Sequence, residues 1–348
     1  MKEYVITIDG GTTNTRCMLW NGQKEMVAEA KRETGVRNTS IDGNNKKLKQ
    51  AVKECVEEVL RKAGIGFDAV RRITGSGMIT SDMGLYMLPW ITAPAGAKEL
   101  AEHAEEVLLP EICPVPITFI PGIKNSEGPF SMENIAGMDI MRGEEVESVA
   151  LISRMNCRKE MLLVLPGSHN KFIPVDRDGR ITGCVTSISG ELLSAVTNDT
   201  ILAKSVNRSF VSPEGYDRET VLAGFDTAMK YGFGKALFTG RTMMLFTESG
   251  PEKIANFLLG ATLAGDLIAV KNSGLSGICP EMKVVVAGKE PLRSAVADIL
   301  RHDGYFTDVS EYRHEGKFPL SAEGQYLVAG FFPEEGPVQK EGMDERKS

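Results

Sequence analysis

Two strand–turn–strand units, one near residue 10 and one near residue 168, limit the folds open to this chain. Tyr4 to Ile8 is a short apolar, β-branched run of the kind that forms a strand. It leads into Asp9-Gly10-Gly11-Thr12-Thr13-Asn14-Thr15, and Cys17 to Trp20 resumes as a second strand. Met161 to Leu165 is again an apolar strand, broken by Pro166-Gly167-Ser168-His169-Asn170-Lys171 and resumed by Phe172 to Val175. Gly11 to Thr15 and Gly167 to Lys171 share one form: glycine, hydroxyl, polar, asparagine, polar. They lie 156 residues apart. A supersecondary unit repeated at that distance suggests two copies of one domain, and 348 residues is ample for two cores.

The intervening pattern is α/β. Asn44 to Gly64 predicts a helix with Leu48, Val52, Cys55, Val56, Val59 and Leu60 on one face and Gly64 at the C-terminal cap position. Ala69 to Thr74 predicts a strand running into Gly75-Ser76-Gly77-Met78. Ala97 to Leu109 predicts a helix stopped by Pro110, Ile117 to Ile120 a strand, and Arg142 to Met155 a helix with an acidic first turn. Asp176 to Gly179 makes a hairpin turn into a strand from Ile181 to Ile188. Glu252 to Lys271 is a long helix containing Gly260 and Gly265, Lys283 to Ala287 a strand ending at Gly288, and Leu292 to Asp303 a helix. The expected units are a first domain over 1–145, a second over 146–332, and a polar tail over 333–348 that is expected to fray.

Composition excludes several classes of function. Lys and Arg number 40 against 47 Asp and Glu, a net charge of -7, so no surplus of cations exists to neutralise nucleic-acid phosphates. A small anion remains possible, since local sign matters more than net sign. Six cysteines without CxxC spacing and only four histidines argue against zinc sites and disulfide frameworks, and fit reduced thiols in a cytoplasm. The N-terminus reads as a strand rather than a signal peptide. No apolar stretch is expected to reach the ~20 residues of a membrane span.

The two turns carry the chemistry. A Gly-Thr-Thr turn over Asp9 to Arg16, taking in Gly10, Gly11, Thr12, Thr13 and Asn14, exposes backbone N–H groups and hydroxyls that suit phosphate oxygens. Asp9 at the strand end is placed to hold Mg²⁺, through waters. Turn chemistry explains the same glycines and threonines equally well. A second loop at Gly167, Ser168 and His169 could grip a triphosphate from the other side, with Lys171 supplying positive charge to the transferred phosphoryl group. His169 could equally be a hydrogen-bonded structural histidine. Gly288 could let an adenine lie against backbone, with Gly260 as the opposite wall; the plainer readings are a turn and a close helix contact. No G-x-x-x-x-G-K-[ST] or dinucleotide fingerprint is present.

Met138-Asp139-Ile140-Met141-Arg142-Gly143-Glu144-Glu145 precedes the second unit. Its acids could simply favour a helix N-terminus. Functionally, a phosphoacceptor hydroxyl needs a carboxylate in reach, and the order of expectation is Asp139, then Glu144, then Glu191, which follows Ser189-Gly190. Arg142 is the expected clamp for an acceptor carboxylate.

Taken in order, D-x-G-T-T-N-x-R at residue 9, M-R-G-E-E at 141 to 145, P-G-S-H-x-K at 166 to 171 and G-E-L at 190 to 192 resemble the 2-dehydro-3-deoxygalactonokinases. Weaker matches are Gly77-Met78-Ile79 with Ala93-Pro94-Ala95, and the helix around Phe257, Leu258 and Gly260. The resemblance implies two duplicated ribonuclease-H-like, actin-like ATPase domains around a nucleotide cleft. It implies transfer of the ATP γ-phosphoryl group to the terminal hydroxyl of 2-dehydro-3-deoxy-D-galactonate, with ATP and Mg²⁺ as cofactors. Residues 9–14 would form the first phosphate loop and 167–171 the second, with Gly77, Met78 and Arg142 at the acceptor. The expected partner is a small anionic sugar acid, with neither nucleic acid nor membrane and a homodimer left open. Leu85 stands where the family usually carries an aromatic, typically Trp, and Phe172 where it usually carries Trp. The readings held against this one are a kinase of the same fold for an amino sugar or short carboxylic acid, and an actin-like ATPase switch that phosphorylates no metabolite.

Overall fold

The computed structural model describes residues 3–156, 159–275, 277–316 and 318–332. The polar tail expected over 333–348 lies outside the described residues. The first half runs β1 (Tyr4–Gly10), β2 (Thr15–Trp20), β3 (Met26–Arg32), α1 (Val36–Asp42), α2 (Lys46–Ala63), β4 (Val70–Gly77), β5 (Ile91–Thr92), α3 (Ala97–Glu102), β6 (Glu105–Val107), β7 (Ile117–Phe119), β8 (Ile123–Lys124), β9 (Ile140–Met141) and α4 (Glu144–Met155). The second half runs β10 (Met161–Leu165), β11 (Asn170–Val175), β12 (Val185–Ser187), α5 (Ser189–Asp199), α6 (Arg218–Tyr231), α7 (Phe233–Phe246), α8 (Pro251–Lys271), β13 (Lys283–Ala287), α9 (Leu292–Asp303), β14 (Asp308–Tyr312) and α10 (Leu320–Ala329).

Each half builds the same sheet. The first has strand order β3-β2-β1-β4-β7-β6 and the second β12-β11-β10-β13-β14. In both, three antiparallel strands are followed by two parallel ones: β1 pairs β2 antiparallel and β4 parallel, and β10 pairs β11 antiparallel and β13 parallel. β6 is an addition at the edge of the first sheet, antiparallel to β7. The duplication expected from the two turns is therefore a duplication of topology, and the fold is the two-sheet, ribonuclease-H-like α/β arrangement of the actin-like ATPases. β10 (MLLVL) is buried at every position, as a central strand covered on both faces must be. α2 buries the face Leu48, Val52, Cys55, Val56 and Val59, and Gly64 closes it in the left-handed region at φ 68°.

α10, the last described element, is tied to the first sheet. Gln325 Nε2 donates to the Ile8 carbonyl at 3.1 Å, and Gln325 Oε1 accepts from Thr74 Oγ1 at 3.1 Å. α4 and α10 pack together, with Val146, Val149 and Val328 in an apolar core shared with Leu163, Ile173 and Val285 of the second sheet.

Several element bounds differ from expectation. The helix expected over 97–109 ends at Glu102, because Glu105 to Val107 pair with β7 as an edge strand. The strand expected from Ile181 to Ile188 is regular only from Val185 to Ser187. Ile181 makes isolated bridges to Ala95 and Val175. β4 continues past Thr74 to Gly77 because Gly75, Ser76 and Gly77 pair with Ile8, Asp9 and Gly10. α8, by length and composition alone, could cross a membrane, contrary to the expectation that no stretch would. Here 78% of its most apolar window is buried inside the protein, so it is a core helix. The five described cysteines are free thiols.

Candidate active site

The β1–β2 register ends at Gly10 opposite Thr15, leaving Gly11 to Asn14 as the hairpin tip. The Gly11 N–H donates to the Asn14 carbonyl at 2.9 Å. The start of α1 props this tip from outside: the Val36 and Arg37 N–H groups donate to the Gly11 and Thr12 carbonyls at 3.2 and 2.9 Å. Thr12 and Thr13 remain exposed. Asp9 lies opposite Arg16 in the ladder, and its Oδ2 accepts from Ser321 Oγ of α10 at 2.8 Å. Burial raises the Asp9 pKa, while Ser321 and Arg16 pull it back. Gly77 abuts this corner. At φ 81°, any Cβ there would lie 2.8 Å from the Gly10 carbonyl, so only glycine lets β4 end against the hairpin. Met78 follows in a half-buried single turn.

The second hairpin pairs Leu165 with Lys171, leaving residues 166–170 at the tip. The Gly167 N–H donates to Asn170 Oδ1 at 2.8 Å, the counterpart of the Gly11–Asn14 bond. Ser168 and His169 are exposed, and His169 Nε2 lies 3.1 Å from Glu191 Oε1. Asn170 is wholly buried and donates to Asp266 Oδ2 at 2.6 Å, while Asp266 Oδ1 accepts from Ser189 Oγ. Burial pushes the Asp266 carboxyl up, and bonds from Ser187, Ser189 and Asn170 pull it back. Asp266 is thus the anchor beneath the second loop. The sequence carried one signal for it, a carboxylate amid the apolar run of α8. Gly288 has φ 138°, and a Cβ added there would lie 3.3 Å from Pro166 of the same loop.

Between the two hairpins stands the first turn of α4. Glu144 Oε2 accepts from the Arg142 N–H at 3.1 Å, and the fully buried Glu145 accepts from the Gly143 N–H at 2.7 Å. The Glu147 carboxylate has no hydrogen-bond or ion-pair partner among the described residues. Its field comes from Asp9 of the first half, Glu144 and Glu145 beside it, and Lys289 of the second half. Burial first, and then the neighbouring carboxylates, push Glu147 up to about 8 and Glu145 up to about 7. Glu147 and Glu145 were not singled out in the sequence beyond the acidic first turn.

Other expected site residues are committed elsewhere. Asp139, the first-ranked base, accepts from the Ile140 N–H at 2.7 Å and from the Thr186 N–H and hydroxyl at 2.6 and 2.7 Å, so its carboxylate is saturated. Lys171 is buried, donating to the Ile140 carbonyl at 2.6 Å and Thr186 Oγ1 at 2.7 Å, which ties β11 to the segment before α4. Arg142 donates to the Thr80 carbonyl at 2.7 Å, to Thr80 Oγ1, and to the Leu88 carbonyl at 2.9 Å. It also stacks on Trp90 at 4.2 Å. Its guanidinium braces the 78–90 segment. Gly260 lies against α6, where a Cβ would meet the Val221 carbonyl at 1.8 Å. It is a helix contact in the core and not an adenine wall. Glu191 sits in the first turn of α5 beside the second hairpin, with its N–H donating to the Ser168 carbonyl at 3.1 Å. Leu85 and Phe172 are both in the core rather than in an open pocket.

Two matched sheets with a polar hairpin each are the arrangement of the actin-like ATPase fold. The family model for 2-keto-3-deoxy-galactonokinase matches residues 9–315. The chain belongs to that family, and it is a sugar-acid kinase that uses ATP. No curated protein matches the sequence. Among solved structures, a proposed 2-dehydro-3-deoxygalactonokinase from Sinorhizobium meliloti has a TM-score of 0.70 at 19% identity, covering 94% of this chain and 97% of that one. Component A of the (R)-2-hydroxyglutaryl-CoA dehydratase of Acidaminococcus fermentans has a TM-score of 0.48 at 13% identity, covering 94% and 99%. The activator of the Clostridium difficile 2-hydroxyisocaproyl-CoA dehydratase, with ADPNP bound, has a TM-score of 0.47 at 11% identity, covering 94% and 95%.

Proposed function

We propose that the protein moves the γ-phosphoryl group of ATP onto the terminal hydroxyl of 2-dehydro-3-deoxy-D-galactonate, between a domain over 1–145 and one over 146–332. The observation that carries this is the pair of matched hairpins, each closed by a glycine N–H bonded to the asparagine three residues on, with the α4 carboxylate Glu147 near both Asp9 and Lys289. The exposed Thr12 and Thr13 hydroxyls and the backbone N–H groups of residues 12–14 hold phosphate oxygens from one side, and Ser168 and His169, on the turn shaped by Gly167, hold them from the other. Arg16 steadies Asp9 across the ladder, and Gly288 leaves room beside Pro166 for the nucleotide base. Gly77 and Met78 border the acceptor.

In its ionised form, which its raised pKa of about 8 places at mildly alkaline pH, Glu147 takes the proton of the attacking hydroxyl as the new P–O bond forms and ADP leaves. This revises the order of expectation, since Asp139 is saturated and Glu144 is bonded to the Arg142 N–H. Lys171 and Arg142 act by holding backbone, not by touching phosphate or carboxylate.

The residues fit Mg²⁺. Asp9, Glu144 and Glu145 all act on Glu147, against Arg16 beside Asp9, Arg142 beside Glu145 and Lys289 beside Glu147, and a divalent ion would relieve the repulsion that remains. No group of three His, Cys, Asp or Glu side chains is preformed for a metal among the described residues. That suits an ion held largely by water and phosphate, with Asp9 as its protein contact. When bound, it offsets the charge that builds on the phosphate oxygens. The free thiols suit a cytoplasmic setting.

The product distinguishes this reading from a carboxylic-acid kinase. Transfer to a hydroxyl gives a phosphomonoester that hydroxylamine leaves intact, whereas transfer to carboxylate gives an acyl phosphate that hydroxylamine destroys. ³¹P spectra of the reaction mixture, with and without hydroxylamine, decide between them.

Asp266 supports the second loop at one remove. Replacing it with Ala leaves Asn170 without its partner, and a lost bond to a charged group is worth ~1.5–3 kcal/mol. The expected result is a KM for ATP raised roughly tenfold or more, with the KM for the acid within about twofold. Equal rises in both constants would contradict a role confined to the second loop.

A further inference from the structure

With Arg142 committed to Thr80, Leu88 and Trp90, the expected grip on the acceptor carboxylate has no residue to provide it. A second concavity offers one. A cavity of about 500 Å³ opens beside the first hairpin, lined by Thr13, Asn14, Lys31, Glu33, Arg37 and Asn38 together with Ile41. Among the described residues, neither the Lys31 ammonium nor the Arg37 guanidinium has a hydrogen-bond or ion-pair partner. This contrasts with Arg16 and Arg32 on the neighbouring ladder positions, which pair with Glu29 at 3.1 Å and with Glu54 and Glu58 at 2.9 and 2.8 Å. The cavity therefore holds two unpaired cations against one carboxylate, Glu33. Asn38 commits its Oδ1 to the Gly35 N–H at 3.1 Å, leaving its amide N–H₂ as a donor.

The cavity is joined to the reacting end of the molecule. Arg37 donates its backbone N–H to Thr12 at 2.9 Å, and Thr13 and Asn14 belong both to the cavity lining and to the hairpin tip. An anion seated here would sit one residue from the phosphate-binding face. In a 2-keto-3-deoxy sugar acid the carboxylate and the terminal hydroxyl are at opposite ends of one chain, so an acid end seated in this cavity leaves the chain free to extend its hydroxyl along the hairpin.

We propose that Lys31 and Arg37 bind the carboxylate of the sugar acid, with the Asn38 amide donating to an adjoining oxygen. Arg37 supplies the planar fork that matches a carboxylate, and Lys31 a second, mobile charge. This rests on the kinase reading and deepens it by naming where the acid end is recognised.

The test is steady-state kinetics with 2-dehydro-3-deoxy-D-galactonate on the full chain, for the wild type, Arg37→Met, Lys31→Met and the double variant. Both side chains are exposed and unpaired, so circular dichroism and melting should be unchanged. The double variant is expected to raise the KM for the acid about thirtyfold or more, each lost charge-assisted contact being worth a sizeable factor. The KM for ATP should stay within about twofold, and Arg37→Lys should recover part of the loss. An unchanged acid KM would overturn the proposal. So would a raised ATP KM with the acid KM intact, which would assign the cavity to the nucleotide. If the wild type turns over no sugar acid at all, the kinase reading fails, and this proposal with it.

Discussion

Replacing Asp9 with Ala is expected to lower turnover by about a thousandfold or more, the scale at which removing one preorganised electrostatic contact acts on a charged transition state. The fold should survive. Asp9 makes one side-chain hydrogen bond, to Ser321, while burial already disfavours its charged form. Gln325 holds α10 to β1 and β4 independently of Asp9. The melting temperature without ligand should therefore hold or rise slightly. Stabilisation by ATP with Mg²⁺ should shrink toward that given by ATP with EDTA. Activity within about tenfold of wild type would end the metal role assigned to Asp9.

Replacing Glu147 with Gln is expected to lower kcat by about a hundred- to ten-thousandfold, the range of a lost general base, with the KM for ATP little changed. It should also stabilise the protein. Glu147 and Glu145 have folded-state values of about 8 and about 7, above those of a free carboxyl. Each is therefore easier to ionise in the unfolded chain, and stability falls as pH rises from the free-carboxyl range through those values. The glutamine variant escapes one of these costs. Its gain in melting temperature should be small near pH 5 and grow to several degrees at pH 8. A variant that loses activity but shows no pH-dependent gain would place Glu147 outside the acidic corner. Activity close to wild type, with Glu144→Gln inactive, would move the role to Glu144.

The glycine–hydroxyl–polar–asparagine turns were legible because turn chemistry is local. Gly11 and Gly167 each donate to the asparagine three residues on, one to its backbone and one to its side chain. The long core helix α8 and the strands β10 and β13 were legible for a related reason, since buried elements carry continuous apolar runs. What was not legible depends on contacts between distant segments. Asp139 looks like a free loop carboxylate until Thr186, far along the chain, takes both of its oxygens. Arg142 looks like a clamp until Thr80 and Leu88 claim its N–H groups. Glu147 gains its position from Asp9 and Lys289, from opposite ends of the sequence. Residues 97–109 misled because Ala97 to Glu102 do form a helix, and only pairing with β7 shows that Glu105 to Val107 do not. α6 and α7 were not anticipated. In α7 only Ala236 and Gly240 are buried, so its apolar residues follow no single stripe.

The most direct test of the account is ADP release by the purified protein with ATP and Mg²⁺, in the presence of single candidate acceptors. The account predicts release that depends on 2-dehydro-3-deoxy-D-galactonate, is far slower with hexoses, amino sugars and short carboxylic acids, and is lost in Asp9→Ala. Release at the same rate with no acceptor present, unaffected by any sugar acid, would contradict it and make the protein an ATPase switch.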